Sequence, residues 1–524
     1  MKDGKVLRSV GVVGGFTLLS RSLGMLRDII IAFFFGTSLQ ASAFFVAFTI
    51  PNLFRRLFGE GALSAAFIPV FMETRTREGD KAAWDMGAKV VTMTSAILSA
   101  IAIIGVLLFS VGLRIPSVSA RWLVTFELAR IMFPYVVLIC IAALCMAVLN
   151  SFKHFSTPAF APSLLNLILI ILMLGIFPFM EAESPGRAKV LSWGVLLAGV
   201  AQLGIQLPAL KRFGCPFRFS TQWNDPRVRK MLLLMGPAAL GMAVTQFNVL
   251  LDRLLAMWIG PWAPAALFYS ERMVYFPLGI IATAMGTVLL PTFSSHAAMD
   301  DHESMADTIT HSLRQLAFIM APAAMGLLVL SPNILSAIFE WNGSFDAQST
   351  LLSSRALMFY APGLVVFSAS KVFVPAFYAM QDTKTPVRIG IYVVLLNLLM
   401  NIAFILILPE FWKHAGMALS TVLAELFGMA TLGGILSRRV NNIQWRTVAN
   451  AFVRYTACAA IMAAGAWLVA NHSFALLDLS LSAKFAQIGS VAMGVSSGIA
   501  VYLFLAAGLK SPELSEIKSA LLGK

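Results

Sequence analysis

Apolar runs of about 20 or more residues recur along the whole chain, separated by short polar stretches, and a helix needs about that length to cross roughly 30 Å of hydrocarbon. They predict spans near 8–35, 41–72, 87–113, 122–150, 158–180, 188–210, 230–259, 265–294, 313–339, 350–379, 385–408, 413–437, 447–470 and 484–508. The expected fold class is all-α, a polytopic integral membrane protein of about fourteen transmembrane helices. A β-barrel would show short segments of alternating polarity instead. No cleavable signal peptide is expected, because the first run continues past the length of an h-region and carries Arg21 in its middle.

The pattern repeats. RDIIIAFFFG at 27–36 aligns without a gap with LDRLLAMWIG at 251–260, pairing Asp28 with Asp252, Ala32 with Ala256 and Gly36 with Gly260. Each is followed by an aromatic-rich helix start, a proline (Pro51 or Pro277) and a later PxF (Pro69 or Pro291). FSTPAFAPSLLNLILI at 155–170 likewise resembles TKTPVRIGIYVVLLNLLMNI at 383–402. Two pseudo-symmetric six-helix lobes are expected, residues 1–212 and 230–440, joined by a cytoplasmic linker at 213–229 that holds Gly214, Pro216 and Pro226 and followed by a helix pair in 441–524. Each repeat holds an even number of helices, so the lobes share one topology about an axis along the membrane normal, a usual plan of secondary transporters.

Composition agrees: 59% of residues are hydrophobic and only 12% charged, against about 25% charged in soluble domains. The net charge of +14 is unevenly placed. Alternate loops, counted from a cytoplasmic N-terminus, hold roughly twenty Lys and Arg against about six in the others, which puts both termini inside. Nucleic acid is therefore not an expected partner. The four cysteines lack metal-ligand spacing and read as packing residues. His296, Asp300, Asp301, His302 and Glu303 share a polar inner loop and read as solvated. No Walker A sequence, GxSxG elbow or HExxH occurs, which argues against an ATP-driven pump or a hydrolase. An enzyme is not expected.

Against this background, Arg21, Arg27, Asp28, Arg55 and Arg56 stand inside the first two spans. A charge at bilayer depth costs about 2.5–3.5 kcal/mol on insertion scales, so it faces water or a partner. Four arginines against one aspartate suit an anion with several oxygens, such as pyrophosphate. Arg21 and Asp28 lie nearly on one face of the first helix, with Arg27 turned to a neighbouring face. Pro51, Gly59, Gly61 and Pro69 permit a broken second helix. Arg55 is the ligand candidate there, and Arg56 either supports it or pairs with Glu60. In the second lobe Arg272 and Lys371 are further anion contacts, with Glu271 as a neighbour of Arg272. Asn397 and Asn401, one turn apart, either bond across helices or join Asp252 in holding a small cation.

SRSLGMLRD, FFVAFTIPNLFRRLFGEGALSAAFIPVF, LNSFKHFSTPAFAPSLLN, ERMVYFPLG and FYAMQDTKTPV together resemble the MurJ (MviN) family of bacterial lipid II flippases, from near residue 8 to about residue 440. The resemblance implies a multidrug and oligosaccharide-lipid exporter fold with a cationic central cavity, the last two helices forming a groove for a polyprenyl tail. It implies that the substrate-binding residues are Arg21, Arg27, Asp28, Arg55, Glu60, Arg272 and Lys371, supported by Arg56 and Glu271. Ser42, Thr49 and Tyr275 stand where other members carry charged residues. A sodium-type site found in some members would fall on Asp252, Asn397 and Asn401, with Asn401 in place of an acidic partner. The implied activity is transfer of lipid II from the cytoplasmic to the outer leaflet of the inner membrane for peptidoglycan synthesis. No cofactor is implied, the one candidate being a sodium or similar monovalent cation, with the membrane potential as drive. Lipid II, membrane lipids and the cell-wall synthesis machinery are the implied partners. The alternatives are export of another lipid-linked oligosaccharide or a drug, or a non-transporting scaffold.

Overall fold

The computed structural model describes residues 2–57, 63–181, 184–216, 218–220, 222, 224–478 and 482–522, and every described element is helical. Each of the fourteen predicted runs is a helix or an interrupted helix. This is the outcome that lipid imposes, since a helix satisfies its backbone within one segment. Among the described residues nine helices are long and apolar enough to span, or up to eleven when two bent pairs each count once. The three remaining runs are Lys2–Phe35, which carries Arg21 and Arg27, Leu39–Phe54 with Leu63–Glu78, interrupted from Arg55 onward, and Ala263–Ala298, which carries Arg272.

The two bends are the main departure from the predicted spans. Ala120–Met132 and Tyr135–Ser151 meet at 42°, and Ala347–Tyr360 and Gly363–Ala379 at 44°. Pro134 and Pro362 sit at the breaks, where a missing N–H and a ring clash end the ladder. These prolines are separated by the same interval as Pro158 and Pro386, so the kink belongs to the repeat.

By packing, the chain divides into two compact units, Met1–Pro264 and Ala265–Lys524. The first holds α1 (Lys2–Phe35), α2 (Leu39–Phe54), α3 (Leu63–Glu78), α4 (Asp80–Gly112), α5 (Ala120–Met132), α6 (Tyr135–Ser151), α7 (Ser156–Ile176), α8 (Gly186–Gly204), α9 (Leu207–Arg212) and α10 (Pro226–Ile259). α1 lies along α7, α7 along α8, and α2 along α5. A core of Phe67, Phe71, Met86, Val90, Leu149 and Met231 joins α3, α4, α6 and α10. By repeat α10 is the counterpart of α1 in the second lobe, yet it packs on α2 and α3.

Both ends of α10 are tied to that unit. Asp225 caps its start by accepting from the Arg227 amide at 2.9 Å and also holds Lys89 of α4 at 2.9 Å. Hydrogen bonds from Arg227 keep the Asp225 carboxyl well below the usual range despite its burial. Arg227 reaches Glu78 at 3.0 Å and Lys230 reaches Glu73 at 2.6 Å. At the other end Arg121 donates to the carbonyls of Met257 and Trp258 at 3.1 and 3.0 Å, meeting the last turn's orphan acceptors. Arg187 likewise donates to the carbonyls of Phe177 and Met180, at the short 3-10 turn that follows α7.

The second unit holds α11 (Ala263–Ala298), α12 (His302–Val329), α13 (Ser331–Phe339), α14 (Ala347–Tyr360), α15 (Gly363–Ala379), α16 (Lys384–Ile407), α17 (Lys413–Arg439), α18 (Trp445–Leu477), α19 (Ala483–Gly508) and α20 (Pro512–Leu522). α18 and α19 form the predicted C-terminal pair, and α18 packs on α12. Their close approach rests on small residues. A Cβ at Gly494 would stand 2.8 Å from the Ala466 carbonyl and 2.9 Å from the Ala470 Cβ. Gly494→Leu is thus expected to push the pair apart at a cost of about 1–3 kcal/mol, read as a lower thermal midpoint of the detergent-purified protein.

The loop between α15 and α16 is pinned by Asp382, which accepts from the Thr385 amide at 2.9 Å and pairs with Arg439 at 2.6 Å. The Thr385 hydroxyl, aided by Arg439, lowers its carboxyl to about 2, against an ordinary value of about 3.9. A carboxyl depressed by folding stabilises above its unfolded value and ceases to do so as pH falls through its folded value. Asp382→Asn is therefore expected to lower the thermal midpoint between about pH 5 and 8, with the difference closing in acid.

Candidate functional site

Arg21 stands in the middle of α1, exposed, with no partner among the described residues. Two turns on, Arg27 is buried. Its Nε and Nη2 donate to Asp28 Oδ1 at 3.0 and 2.6 Å, and its Nη1 donates to Asn166 Oδ1 on α7 at 2.9 Å. Asp28 is wholly buried. Arg21 and Arg27 thus have opposite situations on one helix: Arg27 is engaged with its own unit and Arg21 is open.

Arg55 follows the end of α2, where the helix widens into a π turn over residues 55–57, a feature common at functional sites. The expected interruption of the second span begins here, with α3 resuming at Leu63. The Arg55 Nε donates to Asn52 Oδ1 at 2.9 Å, and its charge reaches Cys140 of α6. Arg56 is exposed. Glu60 lies outside the described residues.

In the second unit the half-buried Arg272 of α11 stacks over the Phe268 ring at 5.2 Å, a cation–π arrangement that a guanidinium favours. Its neighbour Glu271 accepts from the Tyr360 hydroxyl at 3.2 Å. Lys371 of α15 is exposed, and its charge acts on Glu425 of α17. Glu425 is a half-buried acid at the middle of a long apolar helix. The sequence pattern assigns it no role, although it carries the signal that marks Arg21.

Asn397 and Asn401 form a closed ring with α17. Asn397 Nδ2 donates to Thr421 at 3.2 Å and Ser420 at 3.5 Å, Asn401 Nδ2 donates to Asn397 Oδ1 at 3.1 Å, and the Ser420 hydroxyl donates to Asn401 Oδ1. This is the cross-helix alternative of the two expected for them. Both amide oxygens are engaged as acceptors, and Asp252 lies in the first unit beside Asn248 at 3.4 Å. In the polar loop, Asp301 caps α12 by accepting from the Ser304 amide at 2.9 Å, and His296 meets Thr308 at 3.2 Å.

Missed altogether is Asn166, half of the clamp on Arg27. Its signal was a lone asparagine inside the apolar run 164–170.

Residues 31–485 match the protein family described as "Lipid II flippase MurJ". The chain belongs to this family. A probable lipid II flippase MurJ of Vibrio cholerae is 33% identical, covering 97% of each chain. The lipid II flippase MurJ of Burkholderia cenocepacia is 36% identical over 79% of this chain and 80% of that one. In fold, the chain is similar to a solved "Lipid II flippase MurJ, inward closed conformation", with a TM-score of 0.74, 24% identity and coverage of 98% and 99%. It is also similar to an inward-facing multidrug-resistance MATE family transporter, with a TM-score of 0.67 at 12% identity, covering 83% of this chain and 98% of that one. This MurJ membership agrees with the all-α, polytopic membrane fold expected from the apolar runs.

Proposed function

We propose that this MurJ family member moves lipid II, an undecaprenyl-pyrophosphate-linked disaccharide pentapeptide, from the cytoplasmic to the outer leaflet of the bacterial inner membrane. It is a transporter and not an enzyme. The observation that carries the reading is the family match across residues 31–485, in a chain that keeps an open guanidinium, Arg21, in the middle of its first span.

The anion ligands are Arg21, Arg55, Arg272 and Lys371. A guanidinium offers forked donors that match phosphate oxygens two at a time, and an ammonium adds a point charge. Arg56 and Glu271, next in sequence to Arg55 and Arg272, support these cations. The polyprenyl tail stays in lipid or along α18 and α19, so only the head crosses. Both termini lie in the cytoplasm, as the distribution of Lys and Arg supports.

Alternating access exposes the head group first inward and then outward. The membrane potential supplies direction, because an anionic head moving outward runs down an inside-negative field at about 2.3 kcal/mol per charge per 100 mV. The peptidoglycan synthesis machinery is the consumer of the flipped product.

Complementation tests this reading. Expression of the chain in a bacterium depleted of its own lipid II flippase is expected to restore growth and rod or coccal shape. Lysis despite normal membrane levels of the chain would overturn the assignment.

A further inference from the structure

We propose that Arg355 of α14, stacked on Phe411 and Trp412, is a binding site for the phosphodiester of a membrane phospholipid, separate from the cations assigned to lipid II. Its place on the outer side of the membrane rests on the cytoplasmic placement of the termini, and its binding chemistry does not.

The short 3-10 turn ahead of α17, Glu410–Trp412, supplies the platform. Cζ of Arg355 lies 3.3 Å from the centroid of the Phe411 ring and 5.0 Å from that of Trp412. At the shorter distance the guanidinium must lie flat on the ring, because an N–H pointed at the face would hold Cζ farther away. Contacts on either side fix this arrangement. One turn before Arg355, the Leu352 carbonyl accepts from His414 Nε2 at 2.9 Å, and one turn after it, Phe359 meets Trp412 edge-on at 6.1 Å.

A flat guanidinium keeps its donors in its own plane, directed past the ring. Among the described residues none of them has an acceptor. Nη1, the nitrogen on the Cδ side, is closed off from solvent, whereas Nε and Nη2 keep access. Those two form the side-on fork of an arginine, the pair that meets two oxygens of one phosphate at once. The fork is therefore oriented by the aromatic platform and left unspent.

Two blander uses of an arginine do not match this geometry. A structural arginine in this unit faces a carboxylate, as Arg314 and Arg454 do with Glu513 and Arg439 does with Asp382. Arg355 has no acid within ion-pair distance among the described residues. A snorkelling arginine extends its whole head to water, whereas Arg355 is half-buried with Nη1 shut in. At the interval that separates Pro134 from Pro362, Arg355 falls on Glu127, which Lys189 meets at 2.7 Å. The first unit thus satisfies its charge at this level with its own side chain, and the second does not.

The ligand class follows from charge and surroundings. One guanidinium balances the single negative charge of a phosphodiester, whereas a pyrophosphate calls for several cations. Phe411 and Trp412 are 41% and 39% exposed at the start of α17, and exposed rings at a span end mark the membrane–water boundary, where phospholipid phosphates are concentrated. Lys413, next in sequence and half-buried, adds a cation at the same level.

The test follows the thermal midpoint and the native mass spectrum of full-length protein, delipidated in detergent and titrated with dioleoylphosphatidylglycerol, dioleoylglycerol, inorganic phosphate or lipid II. Phosphatidylglycerol is expected to raise the midpoint. Arg355→Gln should weaken its binding about tenfold, as loss of a charge-assisted fork implies, and leave lipid II binding unchanged. Arg355→Lys keeps the charge without the fork and should weaken it about threefold. Undiminished phosphatidylglycerol binding by Arg355→Gln would overturn the site. Equal protection by dioleoylglycerol would mean that the tails alone bind, and equal protection by inorganic phosphate that a soluble anion suffices; either result overturns the assignment. A loss confined to lipid II would make Arg355 a contact of the transported substrate and overturn it as well. Should Arg355→Gln fail to fold, Phe411→Leu removes the platform and keeps the charge. It is expected to weaken phosphatidylglycerol binding about threefold, and no change would overturn the proposal.

Discussion

Arg21→Ala, Arg55→Ala and Arg272→Ala are each expected to reduce lipid II transport by about a hundredfold or more while the protein still inserts at normal abundance. A charge-assisted hydrogen bond is worth about 1.5–3 kcal/mol in proteins, and a forked guanidinium makes two. In a site of low dielectric the loss of one such fork therefore exceeds the roughly 2.7 kcal/mol that corresponds to a hundredfold. Insertion should not suffer, because each substitution removes a costly charge from a span. The measurement is complementation of a flippase-depleted strain alongside immunoblotting of membranes. Lys replacements separate charge from geometry, since an ammonium keeps the charge and loses the fork. Full activity of all three alanine variants would remove the anion site from the account.

The second large effect is on stability and lies far from the arginines. Glu513 of α20 is 1% exposed, yet it pairs with Arg314 of α12 at 2.6 Å, with Arg454 of α18 at 3.5 Å and with Ser511 at 2.9 Å, and it accepts from the Tyr455 hydroxyl. Burial pushes its carboxyl up, but hydrogen bonds from Tyr455, Ser511 and Arg314 outweigh this and hold it below the usual range. Through Glu513, α20 thus adds a buried polar tie between α12 and α18, which also pack directly. Glu513→Ala is expected to cost about 3–5 kcal/mol, as when one partner of a buried ion network is removed. The check is the thermal midpoint of purified protein, with proteolysis at the C-terminus as a second readout. A change within about 0.5 kcal/mol would mean the network contributes nothing net. Combined replacement of Glu513, Arg314 and Arg454 by apolar residues should recover part of the loss, because no orphan charge remains.

These two cases also mark what was legible in the chain. The spans were, because lipid demands a run of fixed length and composition, and every predicted run is helical. The kinks at Pro134 and Pro362 were not, since apolar residues continue on both sides and a proline inside a membrane helix can be absorbed or can bend it. The charged candidates were visible one at a time, because Arg21, Arg55 and Arg272 conflict with their surroundings in sequence. Their partners were not. Arg27 and Asn166 stand 139 positions apart, and Arg314 and Glu513 stand 199 apart, so only the fold brings them together. Glu425 was within reach of the same rule that picked out Arg21, and that α17 lies along α15, which carries Lys371, emerges only from the fold.

The most direct measurement is the leaflet distribution of lipid II in the host after controlled depletion of the protein, read with a probe that cleaves only the outer-leaflet head group. Lipid II is expected to become protected as the protein disappears, accumulating on the cytoplasmic face while its total rises. Lipid II that stays accessible to the outer probe, with the protein gone and growth continuing, would contradict the account.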